Sequence, residues 1–178
     1  MKNNERGLKG FVKSFQYAIT GIISSIASER NIRIHLVVAI YILYFSHFYS
    51  LSRAEYILLI LTICFVIATE MLNTAIEAVV DLVTDAYARL AKIAKDVAAG
   101  AVLVAAFSAV VVGVILFFDI NIIQNILLYF AASWVRILLL LLSAAVAILF
   151  IMKAGRWADK TENTLNLING GKDAQNQK

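Results

Sequence analysis

The sequence has no proline, one cysteine and two histidines among its 178 residues. Without proline, nothing covalent forces a kink into a long helix. Cys64 has no partner for an intrachain disulfide, and its place inside an apolar run reads as packing. Charge is scarce too. Asp, Glu, Lys and Arg make up 16% of the chain, against about a quarter in ordinary soluble domains. The basic N-terminus is followed by an amphipathic stretch rather than by a short apolar core with a cleavage site, so no secretory signal is expected. A glycine-rich phosphate loop is also missing: Gly170-Gly171-Lys172 stands in a polar tail without the flanking strand and helix. No nucleic-acid partner is expected.

What the chain has instead is apolar residue, at 61%, with a mean hydropathy of +0.81. It is gathered into runs at 34–49, 56–69, 97–118 and 126–152 that are almost free of charge. A helix rising ~1.5 Å per residue crosses a ~30 Å hydrocarbon core in ~20 residues. The last two runs suffice alone, and the first two with their flanks. The expected fold is therefore all-α and integral to the membrane. An amphipathic surface helix is expected over 8–28, where Leu8, Phe11, Phe15, Ile19, Ile22 and Ile26 recur at helical spacing. Spans are expected at about 32–50, 54–83 and 95–118, with Glu29–His35 as a charged hinge, 84–94 as a polar connection and 119–125 as a polar turn. A fourth span follows within 120–154, and 155–178 reads as a disordered tail.

Lys and Arg placement sets orientation. The N-terminal segment, the second connection and the tail carry most of the cations. Both termini are therefore expected in the cytoplasm, with four spans across a bacterial inner (cell) membrane. Arg136 breaks the pattern. It is expected to snorkel outward beside Trp134, or else to pair with an acid such as Asp119.

The chemistry concentrates in Glu70-Met-Leu-Asn-Thr-Ala-Ile-Glu77-Ala-Val-Val-Asp81. Steps of three, seven and eleven residues return nearly to one helix face, so Glu70, Asn73, Glu77 and Asp81 form one polar stripe. Carboxylates at membrane depth are costly unless paired, protonated or metal-bound. Three readings follow: a solvated helix end, a proton or ion conduit, or a site for a hard cation such as Mg²⁺. Glu29 stands at the same membrane level as Glu77 and offers a second carboxylate. Lys95-Asp96 is expected to open the third span on that side, where a helix N-terminus with a lysine favours a phosphate. Ala98, Ala101, Ala105 and Ala109 permit close helix approach and favour assembly.

Three segments resemble the prokaryotic diacylglycerol kinase and undecaprenol kinase family: Glu29-Arg-Asn-Ile-Arg-Ile-His35, Glu70 to Asp81, and Ala91-Lys-Ile-Ala-Lys-Asp-Val-Ala-Ala-Gly-Ala-Val-Leu103. The resemblance runs from about residue 7 to residue 118. It implies a three-span kinase core at 1–119 in a homotrimer with shared active sites. It implies transfer of the ATP γ-phosphate, with Mg²⁺, to a lipid hydroxyl. By motif, Glu70 would be the general base, with Asn73 helping to position the site. Glu29 and Glu77 would hold the metal, and Tyr17, Tyr87, Lys95 and Asp96 would contact the nucleotide. The wording of the first and third segments resembles the Gram-positive branch, so undecaprenol is the expected acceptor and diacylglycerol the alternative. Two features depart from the family. Gly10 stands where some members carry a basic residue, and the chain continues into the fourth span and tail.

Overall fold

The computed structural model describes residues 2–83 and 88–152, with side chains from residue 10 onward. It is all helical among those residues: α1 Lys2–Ser28, α2 Arg30–Phe45, a 3₁₀ turn Ser46–Phe48, α3 Arg53–Val83, α4 Arg89–Phe117, α5 Ile120–Ala131 and α6 Trp134–Met152. The chain divides into two compact units, one holding α1 and the other residues 31–149.

In α1, the polar side chains turn onto their own backbone. Ser14, Thr20 and Ser25 donate to the carbonyls of Gly10, Gln16 and Gly21, which satisfies their hydroxyls without outside partners. Phe11 and Phe15 pack ring to ring at 4.9 Å and remain exposed together with Ile19 and Ile22. Only Glu29 interrupts the helical run into α2. The expected hinge at Glu29–His35 is thus one residue long. Arg30–His35 forms the first turns of α2, and its Ile32 and Arg33 are buried.

Among the described residues, four helices are long and apolar enough to cross a membrane: 30–48, α3, α4 and α6. The chain is a multi-pass membrane protein. Helices α3 and α4 pack closely on each other as an antiparallel pair. Small residues serve that contact: Ala98 and Ala105 are the buried residues of α4, while Leu59, Val66 and Glu70 are those of α3. The alanine row expected to serve assembly is therefore partly used within the chain, and Ala101 stays exposed. An apolar cleft among α2, α3 and α4 is lined by residues such as Ala39, Leu59, Val66, Ala109 and Gly113. Near one end of it, the Tyr49 hydroxyl donates to the Phe117 carbonyl at 2.9 Å, and the two rings meet edge to face.

The C-terminal region differs from expectation. Residues 120–125, expected in a polar turn, belong to helix α5, and the fourth apolar run breaks at Ala132–Ser133. Asp119 explains the first difference. Its Oδ1 accepts from the backbone N–H groups of Asn121 and Ile122, a side-chain cap that starts α5. Arg136 accounts for the far end. It donates from Nη1 to the Tyr129 carbonyl at 2.7 Å, and its guanidinium lies 3.9 Å from the centroid of the Tyr129 ring. It does not pair with Asp119; it closes the last turn of α5. Helices α5 and α6 pack on α2 through rings and one polar link. Phe45 and Phe48 meet Phe130, Phe48 meets Tyr129, and the Tyr41 and Ser143 hydroxyls hydrogen bond at 2.9 Å.

Candidate functional site

The carboxylate stripe forms because α3 continues without a break from an apolar stretch into a polar one. The stripe grades along its length. Glu70 is 2% exposed, Asn73 and Glu77 are half-buried, and Asp81 is exposed. Neighbouring rungs are linked. Asn73 Nδ2 donates to Glu77 Oε1 at 2.9 Å, and Thr74 Oγ1 donates to the Glu70 carbonyl at 3.0 Å. The opposite face, with Leu72, Ile76 and Val79, is exposed and apolar. A carboxylate as enclosed as Glu70 has little water to compete for it, and that suits a group that must take a proton from a substrate.

Across the closely packed pair, α4 brings Lys95 to the stripe. Its Nζ donates to Asp81 Oδ1. One turn away, Lys92 and Asp96 form an exposed pair at 3.8 Å within α4. The expectation that Lys95 and Asp96 open a helix needs correction. Helix α4 begins at Arg89, because Leu90, Ala91, Ile93 and Ala94 extend it two turns earlier. The helix dipole acts within the first turn, so any phosphate preference here comes from the lysine charge and not from free N–H groups.

The remaining candidates belong to other segments of the chain. Tyr17 is exposed on α1, and Glu29 is half-buried at the break after α1, its N–H donating to the Ser25 carbonyl at 2.9 Å. Both fall outside the unit that holds the stripe. Tyr87 and the tail expected at 155–178 lie outside the described residues. At Gly10, an added Cβ would meet nothing within 4 Å.

Among the described residues, no group of three or more His, Cys, Asp or Glu side chains gathers to hold a metal unaided. Mg²⁺ commonly needs only one or two carboxylates beside substrate phosphates. One observation on the stripe is compatible with it. Asn73 Oδ1 is buried with no hydrogen-bond partner, on the amide whose Nδ2 donates to Glu77. Buried acceptors are normally satisfied. An orphaned oxygen on an amide that holds a carboxylate suits a hard cation or its bound water.

Sequence reasoning left two features of the site unread. The Lys95–Asp81 bond joins different helices, and only the packing of α3 on α4 reveals it. The Lys92–Asp96 pair, by contrast, was readable from its i,i+4 spacing.

Similarity to known proteins follows this geometry. Residues 16–117 match the model of a family described as prokaryotic diacylglycerol kinase. The chain is 44% identical over 113 residues to a diacylglycerol kinase of Synechocystis sp., a match that spans 63% of this chain and 65% of that relative. It is 40% identical over 116 residues to the undecaprenol kinase of Bacillus subtilis, covering 65% of this chain and 94% of the relative. With a diacylglycerol kinase of Escherichia coli it shares 32% over 116 residues, covering 95% of the relative. The family match takes in every candidate site residue from Tyr17 to Asp96 and stops where α4 ends. With more than half of its length inside that match, the chain belongs to the prokaryotic diacylglycerol kinase family.

Proposed function

We propose that the chain is an integral membrane lipid kinase that transfers the ATP γ-phosphate to a lipid hydroxyl, with Mg²⁺. The observation that carries this reading is the α3 stripe, Glu70 to Asp81, meeting Lys95 of α4 inside the segment shared with the family. Undecaprenol is the proposed acceptor, supported by the match to nearly the whole Bacillus subtilis undecaprenol kinase. Diacylglycerol is the second reading, supported by the 44% identity to the Synechocystis enzyme. A conduit for protons or ions has no support beyond the stripe itself.

In this reading, a Glu70 carboxylate oxygen takes the proton from the lipid hydroxyl as the hydroxyl oxygen attacks the γ-phosphorus and ADP leaves. Asn73 holds Glu77 through its amide and contributes Oδ1 to the cation site. Glu77 and Glu29 would hold Mg²⁺. The bound cation would neutralise phosphate charge. Lys95 binds phosphate oxygens, and Tyr17, Tyr87 and Asp96 contact the nucleotide. The core at 1–119 carries the chemistry, with α1 lying on the cytoplasmic surface of a bacterial inner membrane and both termini in the cytoplasm. Segment 120–154 adds a span, 155–178 is a polar tail, and the chains assemble as a homotrimer whose sites are shared between subunits.

The test is transfer from labelled ATP in detergent, with undecaprenol and diacylglycerol supplied separately. Label is expected on the lipid, more on undecaprenol. No transfer to either lipid under Mg²⁺ would overturn the kinase reading.

A further inference from the structure

Asp81 is the one member of the stripe to which neither the motif nor the proposed chemistry gives a task. Its carboxylate takes the hydrogen bond from Lys95 Nζ, joining the last turns of α3 to the second turn of α4. The other charged groups nearby are engaged differently: Glu77 with Asn73, and Lys92 with Asp96. Lys95 therefore has a single carboxylate partner among the described residues.

We infer that Asp81 is a positioning residue for Lys95, anchoring its ammonium at the α3–α4 junction while other donors stay available for a nucleotide phosphate. This rests on the reading of Lys95 as a nucleotide ligand. An ammonium has three N–H donors, and Asp81 Oδ1 engages one. The lysine stem is long and rotamer-rich, whereas the Asp81 stem is short and rooted on a helix. The bond therefore restricts the longer partner. The pair is also partly open to solvent, at 36% for the Lys95 side chain and 65% for that of Asp81. Exposed pairs contribute little to folding, so a structural staple is a weak account of this one. An exposed ammonium, held in one place, suits a ligand arriving from water.

The experiment compares the full chain with Asp81→Asn, Asp81→Glu, Lys95→Met and the double variant Asp81→Asn/Lys95→Met. It reads KM for Mg-ATP, KM for lipid, and equilibrium binding of a non-hydrolysable ATP analogue. Asp81→Asn is expected to raise the ATP KM and weaken analogue binding by about two- to fivefold, the scale of an exposed ion pair. The lipid KM stays put, and Asp81→Glu recovers much of the loss. On the Lys95→Met background, Asp81→Asn adds nothing, because Asp81 acts through Lys95. Unchanged nucleotide affinity in Asp81→Asn, or an equal loss on the Lys95→Met background, would overturn the inference. If the unaltered chain binds the analogue but phosphorylates no lipid alcohol, the kinase reading fails and analogue binding alone decides the role of Asp81. If it does not bind the analogue, both fail.

Discussion

The second half of α3 and the whole of α6 are both membrane helices, yet they use their faces in opposite ways. From Glu70 to Asp81, α3 spends one face on polar groups that engage each other and α4. Helix α6 has no buried residue and one ionisable side chain, Arg136, which serves the neighbouring α5. The family match includes the first region and excludes the second. A polar group in the bilayer is expensive, so it is kept where chemistry requires it. Apolar surface is free to vary as long as the helix is long enough.

The sharpest way to break the comparison is to remove a charge from the stripe without changing its shape. Glu70→Gln is expected to lower turnover by ~10² to 10⁴-fold, the usual worth of a general base, while ATP binding survives. Single-turnover transfer and analogue binding measured together check this, and full activity in the variant would end the role assigned to Glu70. Glu77→Gln should lose less and recover in part at raised Mg²⁺, which a Mg²⁺ titration of initial rate reads directly. If sites are shared between subunits, co-assembling Glu70→Gln chains with Lys95→Ala chains restores some activity, whereas purely additive inactivation means each chain carries its own site.

On the other side of the comparison, truncation after Phe118 should leave phosphotransfer intact in an oligomer that still inserts. Loss of chemistry from a stably assembled truncation would place part of the site in the fourth span. The smallest expected effects concern stability. Ser143→Ala removes the hydrogen bond to Tyr41 and should cost about 0.5–1.5 kcal/mol, read by thermal unfolding in detergent. Tyr49 gives a pH signature. Burial, and then the Asp119 charge, raise its pKa above the ordinary 10.0. The folded state thus favours the neutral phenol. Its contribution is complete below that ordinary value and is lost as the pH rises through the higher folded value. Tyr49→Phe should flatten stability across that alkaline window.

Periodicity and run length led to an all-helical chain with four long apolar helices, an amphipathic α1 and the α3 stripe. They misplaced the start of α4 and missed the division of the fourth run into α5 and α6. What the sequence hid depends on neighbours. Arg136 sits beside Trp134 in sequence, but its partner Tyr129 lies across a break that no proline or glycine announces. The start of α4 was hidden by Arg89, Lys92 and Lys95, whose charges read as a loop although their spacing suits a helix. Asp81 belonged visibly to the stripe, but its bond to Lys95 exists only once two helices meet.

The closure of α5 at both ends by its own flanking residues has a consequence for how such a chain can grow. A helix ending in or near hydrocarbon exposes N–H and C=O groups that must find partners. Asp119 answers for the first turn and Arg136 for the last. Part of each end of α5 is thus satisfied from its own flanks. A shorter relative could take such a cassette after its last core helix if its α2 offered the surface that Tyr41, Phe45 and Phe48 provide here.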